Sequence, residues 1–171
     1  MRAVIRGVGS YLPQKILTND DLAAMVDTSD AWIRERTGMV KRHIVAEGET
    51  TVELAANAAR NALAHAQYEA SAMDAIIVGT STPGTTMPSV AATVQGMLGM
   101  PHAVALDVVA ACTGFVTALA TAEGLMKSGV ITRAIVIGAE CMSSIVDWSD
   151  RNTCVLFGDG AGAVILEAVN D

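Results

Sequence analysis

Cysteine, aromatic and charged side chains are all scarce in this chain of 171 residues. The three cysteines, at 112, 141 and 154, are odd in number and widely spaced. They exclude a disulfide framework and point to free thiols in a reducing compartment, hence a cytoplasmic protein. The three histidines form no pair and no cysteine stands at ligand spacing, so no metal site is expected. Aromatics make up only 4%, so the core has to be built from small side chains packed closely. Eleven basic residues against 18 acidic ones give a net charge of −7, which argues against a general nucleic-acid binder. The same sign argues against docking on an anionic membrane. No long apolar stretch follows Met1-Arg2-Ala3, so no signal peptide is expected.

What the chain does contain is 51% hydrophobic residues with 15 glycines, against 17% charged. Disorder is excluded, and the length suits one domain with a sizeable core. Residues 75–106 carry no Asp, Glu, Lys or Arg, but Gly79, Pro83, Gly84, Pro88, Gly96, Gly99 and Pro101 interrupt them. A membrane-spanning helix is not punctuated so often, and the stretch reads as buried interior.

Ala3–Gly9 reads as a strand ending at Tyr11-Leu12-Pro13. Asn19 is placed as the N-cap of a short helix, and Asp27-Thr28-Ser29-Asp30 starts a second one running to Gly38. Val40–Val45 reads as an edge strand. Thr50 and Glu53 form a capping box for a helix with an alanine stripe through Ala55, Ala56, Ala59, Leu63 and Ala66. Strands follow at 74–79, 103–107, 133–138, 154–157 and 163–166, with helices from Ser89 to Gly99 and from Cys112 to Lys127. The last helix is apolar on nearly all sides and is expected between layers, not on a surface. The alternation implies crossover connections and a largely parallel mixed sheet. The closing strand is followed by nothing like a terminal helix, which reads as half of a larger arrangement.

Cys112 is the sharpest candidate for chemistry. It stands where a strand gives way to a helix, in Asp107-Val-Val-Ala-Ala-Cys112-Thr-Gly-Phe115. A thiol at a helix N-terminus feels the positive end of the dipole, which favours the thiolate, and nearby N–H groups can face an oxyanion. The bland alternative is a buried cysteine acting as a small hydrophobe. Trp32 and Arg36, four apart, share a helix face with Thr28 one turn earlier and could sandwich a flat aromatic ligand. Arg151, read on a polar loop, could add a phosphate contact. Alternatively, Trp32 is partly buried and Arg36 pairs with Asp30 or Glu35. The segment Phe157-Gly-Asp159-Gly-Ala-Gly162 has neither phosphate-loop nor dinucleotide spacing. It reads as a tight link between two strands, with Asp159 as a turn residue. His43, His65 and His102 are candidate bases, and none is near Cys112 in sequence.

These residues resemble the N-terminal half of the β-ketoacyl-acyl carrier protein synthase III family. The resemblance runs from Gly7-Val-Gly-Ser-Tyr-Leu-Pro13 through Thr28-Ser-Asp-Ala-Trp-Ile33 and Arg36-Thr-Gly38, then 107–115, Asp150-Arg151 and 157–162. It implies an α/β, thiolase-like fold: one half, with a five-stranded mixed sheet, of a layered α-β-α-β-α architecture. Residues 1–171 would be the N-terminal half, with the C-terminal half outside the chain and an apolar face left open for it. It implies an acyltransferase in which Cys112 accepts an acyl group, acetyl in the first instance, from acyl-CoA. Decarboxylated malonyl-acyl carrier protein then condenses with it to give 3-ketoacyl-acyl carrier protein, starting type II fatty acid synthesis. Coenzyme A enters as substrate, and no cofactor is implied. By the same resemblance Thr28, Trp32, Arg36 and Arg151 hold coenzyme A, and Ser81, Met142 and Phe157 line the acyl pocket. Met87, where members of the family often have Phe, would reach into the partner's pocket in a homodimer. The family's catalytic His and Asn lie in its second half, so the chain by itself is expected not to complete the condensation. Related thiolase-fold enzymes (hydroxymethylglutaryl-CoA synthase, a secondary-metabolite ketosynthase, a thiolase) and a non-catalytic dimerising domain are the alternatives.

Overall fold

Two runs of β-branched and small residues, one at each end of the chain, meet in space. In the computed structural model, which describes residues 1–170, strand β1 (Arg2–Tyr11) pairs antiparallel with β7 (Asp159–Val169). β7 pairs antiparallel with β6 (Arg133–Cys141), and β4 (Ala75–Gly79) lies parallel between β6 and β5 (Val104–Val108). The result is a five-stranded mixed sheet ordered β1-β7-β6-β4-β5, in line with the expected α/β class. β4 reads Ala-Ile-Ile-Val-Gly and is buried at every position, as a central strand covered on both faces should be.

One face of the sheet carries α3 (Thr51–Ala66) and α4 (Val90–Leu98). Thr50 and Glu53 close the expected capping box. The alanine stripe lets α3 lie unusually close: a Cβ on Gly9 would come 2.2 Å from the Ala62 nitrogen. The other face carries α5 (Gly114–Lys127), seated through Gly114, Ala118, Ala122 and Met126 at four-residue spacing. Its far side is open, with Val116 64% exposed. Among the described residues one layer, the sheet, covers α5, and its other side is the apolar face expected to be left open. Ile5 and Val8 of β1 are also more than half exposed. Among the described residues, no helix is long and apolar enough to cross a membrane.

A small subassembly stands beside the sheet. β2 (Lys15–Thr18) pairs antiparallel with β3 (Lys41–Ile44), and between them run α1 (Asn19–Ala23) and α2 (Asp30–Thr37). The sequence reading misses β2, a four-residue strand with little apolar alternation to reveal it, and so leaves β3 without its partner. It also puts the first cap one residue late. Thr18 caps α1, and Asn19 turns inward instead.

Two further readings are corrected near the end of the chain. Residues 154–157 are not a strand: α6 (Arg151–Cys154), capped by Asp150, and the turn after it occupy that region. The glycine-rich segment is not a link between strands, because Asp159–Gly162 is already β7. Two of its glycines serve close approach. A Cβ on Gly160 would meet Leu12 at 2.9 Å, and one on Gly158 would meet the Arg42 Cβ at 3.0 Å.

Candidate active site

Cys112 sits on a turn that the backbone has to be forced into. After β5 the chain makes a single 3-10 turn, Ala111–Thr113, and only then enters α5 at Gly114. The sequence reading starts the helix at Cys112, two residues early. Ala111 takes φ +45°, a left-handed conformation that costs a residue with a Cβ about 1–3 kcal/mol. The Thr113 hydroxyl donates to the Ala110 carbonyl at 2.8 Å, and no side chain caps the start of α5. Cys112 is thereby held out: it is exposed, whereas Cys141 and Cys154 are buried. Burial pushes both of those thiols up from their ordinary pKa.

Glycine fixes this turn against the sheet. A Cβ on Gly79, the last residue of β4, would come 2.5 Å from the Gly114 carbonyl carbon. Strand end and helix start therefore touch backbone to backbone. In front of Cys112 opens a largely apolar cavity of about 480 Å³. Ser81, Met142 and Phe157 line it with Cys112, as the resemblance implies. Met87 does not; it stands 85% exposed on the loop before α4. None of the three histidines lines the cavity either. His43 Nδ1 lies 2.6 Å from the Pro13 carbonyl and His65 Nδ1 accepts from the Val8 N–H at 3.0 Å.

The sequence reading misses Glu140, the one carboxylate of the cavity wall. It accepts the Ser81 N–H at 2.7 Å and the Thr82 hydroxyl, and Thr82 in turn accepts the Cys141 N–H at 2.8 Å. A lone acid near the end of an otherwise apolar strand is the signal that could have found it. Asp159 is not a turn residue. Buried at 5% exposure, it accepts the Val45 and Ser143 N–H groups at 2.8 Å each and the Ser143 hydroxyl at 2.6 Å. It thus secures the turn Met142–Ser144 that forms one wall of the cavity.

A second constellation forms where α2 meets α6. Ser29 caps α2 by accepting the Trp32 N–H, and Gly38 ends it in a left-handed turn. The Arg36 guanidinium lies 4.4 Å from the centre of the Trp32 ring, and that of Arg151 lies 5.2 Å from it. Arg151 also donates to the Asp27 carbonyl at 2.9 Å. Of the two partners weighed for Arg36, Glu35 is the one found, at 3.5 Å, while Asp30 pairs with Arg34. Thr28 stands beside this group with its hydroxyl buried and unpartnered. The four residues that the resemblance assigns to one ligand thus lie on neighbouring elements. They offer a flat ring, two cations and one unsatisfied hydroxyl. The clamp and the cavity share scaffolding: the Trp148 indole donates to the Ser143 carbonyl at 3.2 Å, and Trp148 and Trp32 pack on the same apolar cluster.

Comparison with known proteins shows what the chain as a whole is similar to. The family model for 3-oxoacyl-[acyl-carrier-protein] synthase III matches residues 106–171. A β-ketoacyl-[acyl-carrier-protein] synthase III of Hyphomonas neptunium is 56% identical over 168 residues, 98% of this chain and 52% of that protein. The crystal structure of 3-oxoacyl-[acyl-carrier-protein] synthase III from Aquifex aeolicus superposes with a TM-score of 0.95 at 48% identity, over 99% of this chain and 55% of that one. The priming β-ketosynthase of the R1128 polyketide pathway also gives 0.95, at 33% identity, over 99% of this chain and 51% of its own. The chain spans about half the length of the curated relatives it matches.

Proposed function

From a chain that corresponds in sequence and fold to the N-terminal half of a β-ketoacyl-[acyl-carrier-protein] synthase III, we propose the acyl-accepting half of a condensing enzyme. Cys112 is its nucleophile. The sulfur attacks the carbonyl carbon of acetyl-CoA or a related short acyl-CoA, the carbon–sulfur bond to coenzyme A breaks, and coenzyme A leaves as the thiol. The acyl group then rests on Cys112 in the cavity walled by Ser81, Met142 and Phe157. Cysteine suits this step because its sulfur is both a good nucleophile and a good leaving group. Malonyl-acyl carrier protein loses carbon dioxide, its carbanion attacks the acyl carbon, and the carbon–sulfur bond to Cys112 breaks, which releases 3-ketoacyl-acyl carrier protein, the first product of type II fatty acid synthesis, and restores the free Cys112 sulfur. The His and Asn that assist decarboxylation are assigned to the second half, outside residues 1–171.

Trp32 stacks on the adenine of coenzyme A, and Arg36 and Thr28 lie beside it; the exposed Arg151, now 5.2 Å from the ring centre, swings outward to cover the other side of the base. Stacking of a base on an aromatic ring contributes about 1–3 kcal/mol, and the two guanidiniums offset the charge of the phosphates in a chain that is acidic overall. A homodimer, with Met87 reaching the partner's cavity, is in keeping with the exposure of Met87 and with β5 standing at the edge of the sheet. We place the protein in the cytoplasm.

The observation that carries this reading is the exposure of one thiol out of three, on a strained turn at an apolar cavity. The test is to incubate the protein with acetyl-CoA and map the modified peptide by mass spectrometry. One acetyl group on Cys112, absent from Cys141 and Cys154, is expected, and no 3-ketoacyl product unless the second half is supplied. Acetylation elsewhere, or none, defeats it. The similarity to the polyketide priming enzyme favours a second reading, a secondary-metabolite ketosynthase. Competition among acyl-CoAs of different chain length, with malonyl-acyl carrier protein or acetoacetyl-CoA as acceptor, separates the two readings and tests hydroxymethylglutaryl-CoA synthesis as well.

A further inference from the structure

A buried polar link joins the two helices that carry the clamp, and acyl transfer makes no direct use of it. Asn19 is 1% exposed. Its amide nitrogen donates to Asp30 Oδ1 at 2.8 Å and to the Met39 carbonyl at 2.9 Å. Its oxygen accepts from Arg42 Nη2 at 3.0 Å, and the same nitrogen donates to the Val155 carbonyl at 3.2 Å. Asp30 is the first residue of α2, two before Trp32. Val155 is the C-cap of α6, the single turn that starts at Arg151. Its carbonyl is one of those a helix leaves without a partner, at the end where positive charge is favoured.

Arg42 is an expensive residue to keep here. It is 4% exposed, its hydrogen bonds all go to uncharged oxygens, and its Nε has no partner. Burial pushes its pKa down, opposed by the neighbouring Cys154 thiol. A hydrophobic side chain of similar volume is often at least as stabilising as a buried charge. What the hydrophobe lacks is a planar fork that reaches several oxygens in fixed directions. Space is tight as well, since a Cβ on Gly158 would come 3.0 Å from the Arg42 Cβ and press on it.

We infer that Asn19 and Arg42 are positioning residues for nucleotide binding: through Asp30 and the Val155 carbonyl they hold α2 and α6 in the register that brings Trp32 and Arg151 together at the adenine site. The inference rests on the coenzyme A reading of the clamp. The experiment is calorimetric titration of coenzyme A into the protein and into its Asn19→Ala, Arg42→Lys, double and Trp32→Ala variants. The rate of Cys112 alkylation by iodoacetamide is followed in parallel. Asn19→Ala and Arg42→Lys are each expected to weaken coenzyme A about tenfold, the cost of a small misplacement of binding groups. The double variant should be no worse than the weaker single one, because the two residues act as one link. Alkylation of Cys112 should stay within about twofold, and Cys141 and Cys154 should stay unreactive, which general destabilisation would not allow. Unchanged affinity in both single variants, with Trp32→Ala weakened, overturns the inference and leaves the coenzyme A reading standing. Unchanged affinity in Trp32→Ala removes that reading itself.

Discussion

Around Cys112 the decisive contacts are made by backbone, and around Trp32 they are made by side chains. At the first site Gly79 touches Gly114, Ala111 is bent into the left-handed region, and the cavity floor includes Gly138 and Gly160. At the second an indole lies near two guanidiniums, and Asn19 and Arg42 tie the supporting helices together. The difference suits the two tasks. Forming a bond to one carbon needs a sulfur whose position does not vary. Holding a charged nucleotide needs groups that follow its phosphates and release it afterwards. The first site should therefore respond to added atoms, and the second to removed charge and added salt.

The largest expected effect is at the sulfur. Cys112→Ala should abolish acetylation by acetyl-CoA, measured by intact mass, while the fold is kept. Next comes Gly79→Ala, whose new Cβ has only backbone to meet. Overpacking against atoms that cannot rotate away should cost about 3 kcal/mol, read from urea denaturation. A mild effect there would break the contrast, because it would mean the turn can yield. Trp32→Ala should raise the Kd for coenzyme A by about ten- to a hundredfold, the value of one stacked base, and should also lower Tm, because the indole packs on the apolar cluster beneath it. Arg151→Ala should cost only a few fold, and the loss should shrink as salt is raised, since exposed charges are screened within about 10 Å at 0.1 M. The smallest effect concerns the buried thiols. Their pKa values are raised in the folded protein by burial. Between the ordinary thiol range and these raised values the unfolded chain loses protons that the folded one keeps, so stability falls as pH rises there. Thermal melts from neutral to alkaline pH should show this decline, and Cys154→Ala should flatten it.

Strands at 2–11 and 75–79 and the long helix from Thr51 were legible because caps and periodicity agreed with packing. β2 was not, since four residues of mixed polarity carry no period. The misread strand at 154–157 shows apolar side chains outweighing a cap: Asp150 announces a helix start, and Val155 and Leu156 pull the reading toward β. For the sites, Cys112 and the Trp32–Arg36 pair stand out from position and spacing, and Arg151 from its charge as a phosphate contact, although it opens α6 instead of lying on a loop. Asn19, Arg42, Glu140 and Asp159 were not legible as a framework. Their partners lie from 11 to 114 residues away along the chain, and no local pattern records a hydrogen bond at that range.

The meeting of Gly79 with Gly114 also bears on motion. Over most of the sheet, with Gly7 and Gly9 against α3 as the other exception, side chains act as springs between strand and helix and can absorb a push by changing rotamer. At this point there are none, so β4 and the start of α5 must shift together or not at all. Strain placed on the thioester as it forms or breaks therefore passes straight into β4, a strand buried at every position, and the sulfur has little freedom to recoil.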